Sequence, residues 1–281
     1  MAKNKKIVVL YHKGCRDGFG AAWAAWRKFG ERAEYIGVNH DEPPPKNLKG
    51  KNVYLLDFVY PLETTKKLLE VVRLLTAIDH HISVEKSTKL SHRYLYDIKH
   101  SGAVLAWKYF HPDKKIPVLL KYIEDIDIWK MTMPHTREFM ASLETYGLDF
   151  FLWNKIARNW ESPGGRKRYL GEGTAILKYQ GRLIKGAMKD AEEVRFLGHR
   201  ALAVNFTLKL NSEIGDAMRK KGFPLGIIWQ RRAGKLIVSL RSTSKIDSSK
   251  IALRFGGGGH RRAAAFRLVS KEKFPWKTLK N

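Results

Sequence analysis

Through the first half of the chain, short apolar runs alternate with longer amphipathic ones. "KIVVLY" (6–11), "AEYIGVN" (33–39), "NVYLLDF" (52–58) and "LTAIDHH" (75–81) are rich in Val, Ile, Leu and Tyr. They are too short for stable helices and read as strands. Between them, "GFGAAWAAWRKFG" (18–30) and "PLETTKKLLEVVRLL" (61–75) have a helical rhythm. The first stops at Gly30; the second opens on Pro61 with Thr and Glu in its first turn. "DEPPPKNLKG" (41–50) reads as a loop, "SGAVLAWKYF" (101–110) as a helix, and "IPVLLKYIEDIDIW" (116–129) as an apolar run with acids near its end. Strands that alternate with helices predict a parallel α/β sheet.

The pattern changes after residue 145. Residues 145–165 read as irregular and Trp-rich, with "SPGG" (162–165) as a break. "RYLGEGTAILKYQGRLIKGAMKDAEE" (168–193) reads as one long connecting helix. Beyond it, "RALAVNF", "PLGIIWQRRAGKLIVSLRS" and "RRAAAFRLV" are strand-like, with "QRRAGK" as a hairpin turn and "NSEIGDAMRKKG" as a short helix. The fold class predicted is α/β: an N-terminal parallel-sheet domain over 1–160, a helical linker over 161–194 and a smaller C-terminal α/β domain over 195–281. No internal repeat or low-complexity tract is visible.

At 281 residues the chain is long enough for an ample core. No apolar run approaches the ~20 residues of a membrane span. The basic start "MAKNKK" is followed by an apolar stretch too short for a secretory signal, and a single Cys suits a reducing compartment. A cytoplasmic protein with no membrane partner is expected. Charge adds more: Lys and Arg number 53 against 27 Asp and Glu, a net +26. From Arg195 onward there are 20 basic and 4 acidic residues, so +16 falls in the last 87 positions. Such a domain attracts polyanions, nucleic acid foremost, although a merely basic protein has the same composition.

In open α/β sheets, ligands sit beyond the carboxyl ends of the strands. The polar residues there are His12, Cys15 and Asp17, then Asp57, then Asp79, His80 and His81. Each has an ordinary reading. Two adjacent His can be a surface turn, and an Asp after a strand can cap the next helix. "IEDIDIWK" adds Asp125 and Asp127 in an apolar setting, where a buried carboxylate needs a cation or a hydrogen-bond partner. Together, His12, Asp17, Asp57, His80 and Asp125 or Asp127 form a nitrogen and oxygen donor set that suits Mn, Fe or Co better than structural zinc. Two such ions about 3.5–4 Å apart would generate hydroxide near neutral pH and stabilise a phosphoryl oxygen. At the other end, "FGGGGHRRAAAF" (255–266) offers glycine amides beside His260, Arg261 and Arg262, and "VSLRS" (238–242) adds Arg241. Glycines allow close backbone approach, and Arg with amides suits a phosphate. Strand-like flanks argue against a flexible linker.

This set of motifs resembles the DHH phosphoesterase superfamily with its DHH-associated C-terminal domain, over nearly the whole chain. The resemblance rests on His12, Asp17 and Gly18, then Asp57, then the triplet Asp79-His80-His81. It extends to "SGAVLAW", "EDIDIW", "NSEIG", "VSLRS" and "GGGGHRRAAAF". It implies a Mn2+-dependent phosphohydrolase with two ions, Mg2+ or Co2+ being alternatives, and a site between two domains. Family members include RecJ-type exonucleases, nano-RNases that also dephosphorylate pAp, and cyclic-dinucleotide phosphodiesterases. It further implies that Asp57 bridges the ions, His80 is a ligand, His81 contacts phosphate and Asp79 supports the site. Arg241, Ser242, Gly257, Gly258, Gly259, His260 and Arg261 would hold the substrate's nucleotide or far phosphate. The expected partner is a short single-stranded nucleic acid or nucleotide, and a second copy of the chain stays open as another. Cys15 departs from the pattern, because some branches carry an Asp there. Its sulfur is either a ligand or the mark of a missing one. Between Asp125 and Asp127, the reading leans toward Asp125. Phe255 and Trp229 could stack bases, with core packing the alternative. A polyanion-binding protein with a degenerate site is the non-enzymatic alternative, motivated by Cys15 alone.

Overall fold

A computed structural model describes residues 5–39, 42–269 and 273–279. The first four residues of the basic start, and Asp41 of the expected loop, lie outside them. The chain forms two compact units, Met1–Ile176 and Leu177–Asn281.

In the first unit, β1 (Ile7–His12), α1 (Arg16–Phe29), β2 (Ala33–Val38), β3 (Asn52–Leu56), α2 (Leu62–Val71), β4 (Leu74–Asp79), α3 (Glu85–Leu90) and β5 (Arg93–Tyr96) alternate as the pattern predicts. Their sheet runs β2-β1-β3-β4-β5, and every pairing is parallel. The chain leaves β1 for β2 on one side and returns to β3 on the other. The ends of β1 and β3 therefore flank the point where strand order reverses. Side chains alternate across the sheet. Val9, Leu56 and Ile78 join one core with α1, and Val8, Leu10, Val53, Leu55, Leu75 and Ala77 join another.

Helices complete this unit: α4 (Gly102–Phe110), α5 (Val118–Asp127), α6 (Thr136–Leu143) and α7 (Phe150–Glu161). The expectation of irregular structure over 145–165 is corrected by α7. Asp149 caps it by accepting from the Leu152 amide, and Trp153, Ile156 and Trp160 are buried at helical spacing. Their aromatic bulk conceals that rhythm in the sequence. The long α8 (Pro163–Lys189) starts on Pro163, so the "SPGG" break separates two helices. The division between the units falls inside α8. Tyr169 belongs to the first core, and Ala187 and Met188 to the second.

The second unit contains β6 (Glu192–Phe196), β7 (His199–Asn205), α9 (Asn211–Lys220), β8 (Leu225–Arg232), β9 (Lys235–Ser242), α10 (Ser248–Leu253), β10 (Gly258–His260), β11 (Ala263–Val269) and β12 (Lys277–Thr278). Its sheet order is β10-β11-β9-β8-β7-β6-β12, parallel between β7 and β8 and antiparallel elsewhere. The β8–β9 hairpin turns on Ala233 and Gly234, both at positive φ, as a tight hairpin requires. The long helix stops at Lys189, so Glu192 and Glu193, read as its last residues, are strand. Among the described residues, no helix is long and apolar enough to cross a membrane.

Candidate metal centre

Asp57 is the residue that follows β3. It takes a left-handed backbone (φ 57°), and its amide donates to the Ile78 carbonyl at 2.9 Å. A non-glycine residue rarely holds that conformation unless its surroundings fix it. Gly102 makes room for its side chain: a Cβ at Gly102 would lie 2.6 Å from Asp57 Cβ and Oδ1. The buried Asp57 carboxylate faces His12 Nδ1 at 3.7 Å, Cys15 Sγ at 3.8 Å and His80 Nε2 at 3.3 Å. His80 Nε2 also lies 3.7 Å from Asp17 Oδ2 and 3.5 Å from Asp127 Oδ2.

Three overlapping donor groups result: His12, Cys15 and Asp57; Asp57, His80 and His81; and Asp17, His80 and Asp127. Within each group the donor atoms lie within 4.8 Å of one another. Asp57 is shared by the first two groups and His80 by the last two. Asp57 Oδ1 and His80 Nε2 are buried and make no hydrogen bond. Buried polar atoms without partners are costly. A cation would satisfy both at once, so the donor set fits a metal.

Each ligand arm is held from behind. Asp17 lies in the first turn of α1, and its two oxygens accept from the Gly102 and Ala103 amides at 2.6 and 2.9 Å. These are the free amides at the N-terminus of α4. Asp79 Oδ1 accepts from the His80 and His81 amides and meets His81 Nδ1 at 2.8 Å. That bond places the proton on Nδ1 and turns Nε2 outward. Asp79 is thus a positioning residue.

The clustered carboxylates repel one another. Burial, then the Asp57 and Asp127 charges, push Asp17 well above the usual carboxylate range. Burial opposes the Asp57 charge too, but the His12 and His80 imidazoles that face it outweigh burial and hold that carboxyl below its ordinary value. Asp127 is pushed up to about 6 by burial and then by Asp57. Burial, then Asp57, push the Cys15 thiol up to about 12. The bond to Asp79 raises His81 to about 9.

The structure brings Asp127 to the cluster, and not Asp125, which reverses the lean toward Asp125. Every oxygen of Asp125 is already engaged: Thr132 donates through its amide and hydroxyl at 2.8 and 3.0 Å, Met133 through its amide, and Thr136 through its hydroxyl at 2.5 Å. Asp125 anchors a loop. Glu124 likewise holds Lys130, the Ser101 amide and the His100 ring.

The second unit changes several expectations. Ser242 is buried; its hydroxyl donates to the Ile246 carbonyl at 2.8 Å and accepts from Ser248 at 2.9 Å. It is a loop staple and not a substrate contact. The glycine run is no open cradle, because Gly258–His260 is the edge strand β10 on β11. A Cβ at Gly257 or Gly259 would strike β11 at 2.2 and 2.6 Å, so these glycines admit the chain's own backbone. Gly258 has open space beside it, and His260 and Arg261 are exposed. Arg241 is half-buried under α9, with Nη1 on the Leu240 carbonyl and Nη2 3.4 Å from Ser212 Oγ. Phe255 stacks on Phe266 and Trp229 packs against Phe274, so both have core roles. The α4 amides that hold Asp17 escaped the sequence reading; "SG" ahead of a helical run was their one visible sign.

Residues 209–276 match the DHHA1 domain family. The match lies within the second unit. Solved structures of like fold include the DHH domain of a member of a family of ribosomal proteins (TM-score 0.55, 15% identity, 98% of this chain and 83% of that one). The chain is also similar to a pGpG-specific phosphodiesterase from Vibrio cholerae (0.54, 12%, 94% of each). A third is an exopolyphosphatase-related protein from Bacteroides fragilis (0.52, 13%, 96% and 88%). By sequence the chain is 29% identical over 288 residues to uncharacterized protein R106 of Acanthamoeba polyphaga mimivirus, covering 93% of this chain and 67% of that protein. The likeness to these solved structures is one of fold.

Proposed function

We propose that this DHH-type protein is a Mn2+-dependent phosphodiesterase that hydrolyses short single-stranded oligonucleotides. The observation that carries this reading is the pair of unsatisfied atoms, Asp57 Oδ1 and His80 Nε2, shared among three donor groups. His12, Cys15, Asp17, Asp57, His80 and Asp127 would hold two ions. When bound, such ions supply Lewis acidity toward a phosphoryl oxygen and a water acidic enough to attack phosphorus. The protein's own part is orientation. Asp79 fixes the backbone of His80 and His81 through their amides and orients the His81 ring through Nδ1. The Asp79 bond to Nδ1 leaves His81 Nε2 as the ring atom able to meet a phosphoryl oxygen as charge builds there. The N-terminus of α4 keeps Asp17 from drifting toward solvent.

The net +26 favours a polyphosphate strand over a single inorganic phosphate. The Vibrio relative is itself named for a dinucleotide, pGpG. In the DHHA1 domain, His260 and Arg261 are exposed donors suited to a phosphate. The test uses Mn2+ with a labelled dinucleotide, a longer single strand, c-di-AMP and pAp, with Asp57→Ala as control. Hydrolysis of the dinucleotide, lost in Asp57→Ala, is expected. Turnover of pAp or c-di-AMP alone overturns the substrate, and metal-dependent turnover of none overturns the enzyme.

A further inference from the structure

Among the described residues, the two most exposed large apolar side chains are Ile82, 75% exposed, and Trp129, 71% exposed. Both follow donors of the metal centre closely along the chain. Ile82 is the residue after His81, and Trp129 stands two residues after Asp127. The arms that carry them meet where His80 Nε2 approaches Asp127 Oδ2 at 3.5 Å. Single exposed apolar side chains are ordinary on a protein surface, so the backbone that carries the indole is what sets Trp129 apart.

The backbone under Trp129 is costly to hold. Trp129, Met131 and His135 all lie in the left-handed region, with φ of 56°, 50° and 61°. Bulky residues avoid it; glycine or asparagine would sit there without strain. The segment is pinned in spite of this. Trp129 N donates to the Ile126 carbonyl at 3.3 Å and Met131 N to the Asp125 carbonyl at 3.1 Å. The Asp125 carboxylate gathers Thr132, Met133 and Thr136, and Lys130 reaches Glu124 at 2.8 Å. A carboxylate that looked like a ligand instead fixes the loop that displays the ring. A strained position, rigidly supported and presenting an indole to solvent, serves what the indole touches.

We propose that Trp129, with Ile82 on the opposite arm, is the nucleobase platform of the metal centre, so that the site prefers base-bearing phosphates to inorganic or sugar phosphates. This rests on the phosphodiesterase reading for the place of the phosphate. Stacking on an indole tolerates any base, which suits a site for strands of mixed sequence.

The test compares two probes that share a sugar and a phosphate and differ by the base, AMP and ribose 5-phosphate. Each is titrated calorimetrically into the metal-loaded full chain. Wild type is expected to bind AMP about tenfold or more tighter, the range that base stacking on one aromatic supplies. Trp129→Gly relaxes the backbone and deletes the ring. It should bring the affinity ratio close to one, leave ribose 5-phosphate within about twofold, and keep the melting temperature within about 2 °C. Trp129→Phe should restore most of the ratio. An unchanged ratio in Trp129→Gly overturns the proposal, as does an equal loss of both ligands or a large fall in melting temperature. No turnover is needed for this readout. A chain that stacks AMP yet cleaves nothing would refute the phosphodiesterase reading alone.

Discussion

Asp125 and Asp127 share the last turn of α5, and their carboxylates face different partners. Asp127 meets His80 across 3.5 Å, while Asp125 is saturated by Thr132, Met133 and Thr136. Their substitutions should therefore separate. Asp127→Asn is expected to weaken Mn2+ binding by at least about tenfold with little change in melting temperature, since an amide oxygen replaces a charged ligand. Asp125→Ala leaves several buried donors unpaired and should cost about 3 kcal/mol in urea denaturation. Equal effects on stability would contradict this division. Cys15 calls for its own measurement. Its thiol is held protonated by burial and Asp57, up to about 12, so an ion taking Cys15 as ligand must displace a proton. Cobalt-loaded wild type should then show a thiolate-to-metal absorption band that strengthens as pH rises from 6 to 8 and is absent in Cys15→Ser. A spectrum identical in the two proteins would leave Cys15 outside the metal shell. At this scale the sequence displays which donors exist. It does not display which are already spent, because saturation of Asp125 depends on two amides and two threonine hydroxyls seven to eleven residues ahead, which a loop must first bring back to it.

The helices and strands set these donors within reach through close contact at glycines. The N-terminus of α4 abuts the end of β3, where a Cβ at Gly102 would stand 2.6 Å from Asp57 Cβ and Oδ1. The same turn supplies the two amides on Asp17. Gly102→Ala should push Asp57 and Asp17 apart, destabilise the fold by about 1–3 kcal/mol and abolish tight metal binding. Denaturation and calorimetry on the one variant check both effects. A Gly102→Ala chain that binds metal as wild type does would mean the contact is soft. The parallel strands were legible because buried strands on both faces read as continuous Val, Ile and Leu. The helix α7 was not, since Trp153, Ile156 and Trp160 share its stripe with other aromatics. Nor was β10, because four glycines carry no pattern, and pairing with β11 alone makes Gly258–His260 a strand.

At the scale of the whole molecule, charge is the property that a metal centre alone does not explain. The centre needs acidic residues, yet the chain carries +26, of which +16 lies from Arg195 onward. A dinucleotide offers at most two phosphate contacts, whereas a longer strand can lie along a basic surface. Counterion release separates the two. For single strands the logarithm of affinity falls with slope about −0.7 for each neutralised phosphate. Between 50 and 200 mM salt, two contacts cost at most about sevenfold, and six cost about 300-fold. We therefore expect a dinucleotide to lose no more than about sevenfold across that range, while a 12-nucleotide strand loses hundreds-fold. A neutral-backbone analogue of the same length should lack the steep dependence. Arg261→Ala should reduce the slope for the long strand by about 0.7 if that exposed guanidinium touches phosphate. Parallel salt curves for the two lengths would show instead that the basic surface takes no part in holding substrate, and that the excess charge of the DHHA1 domain serves another polyanion.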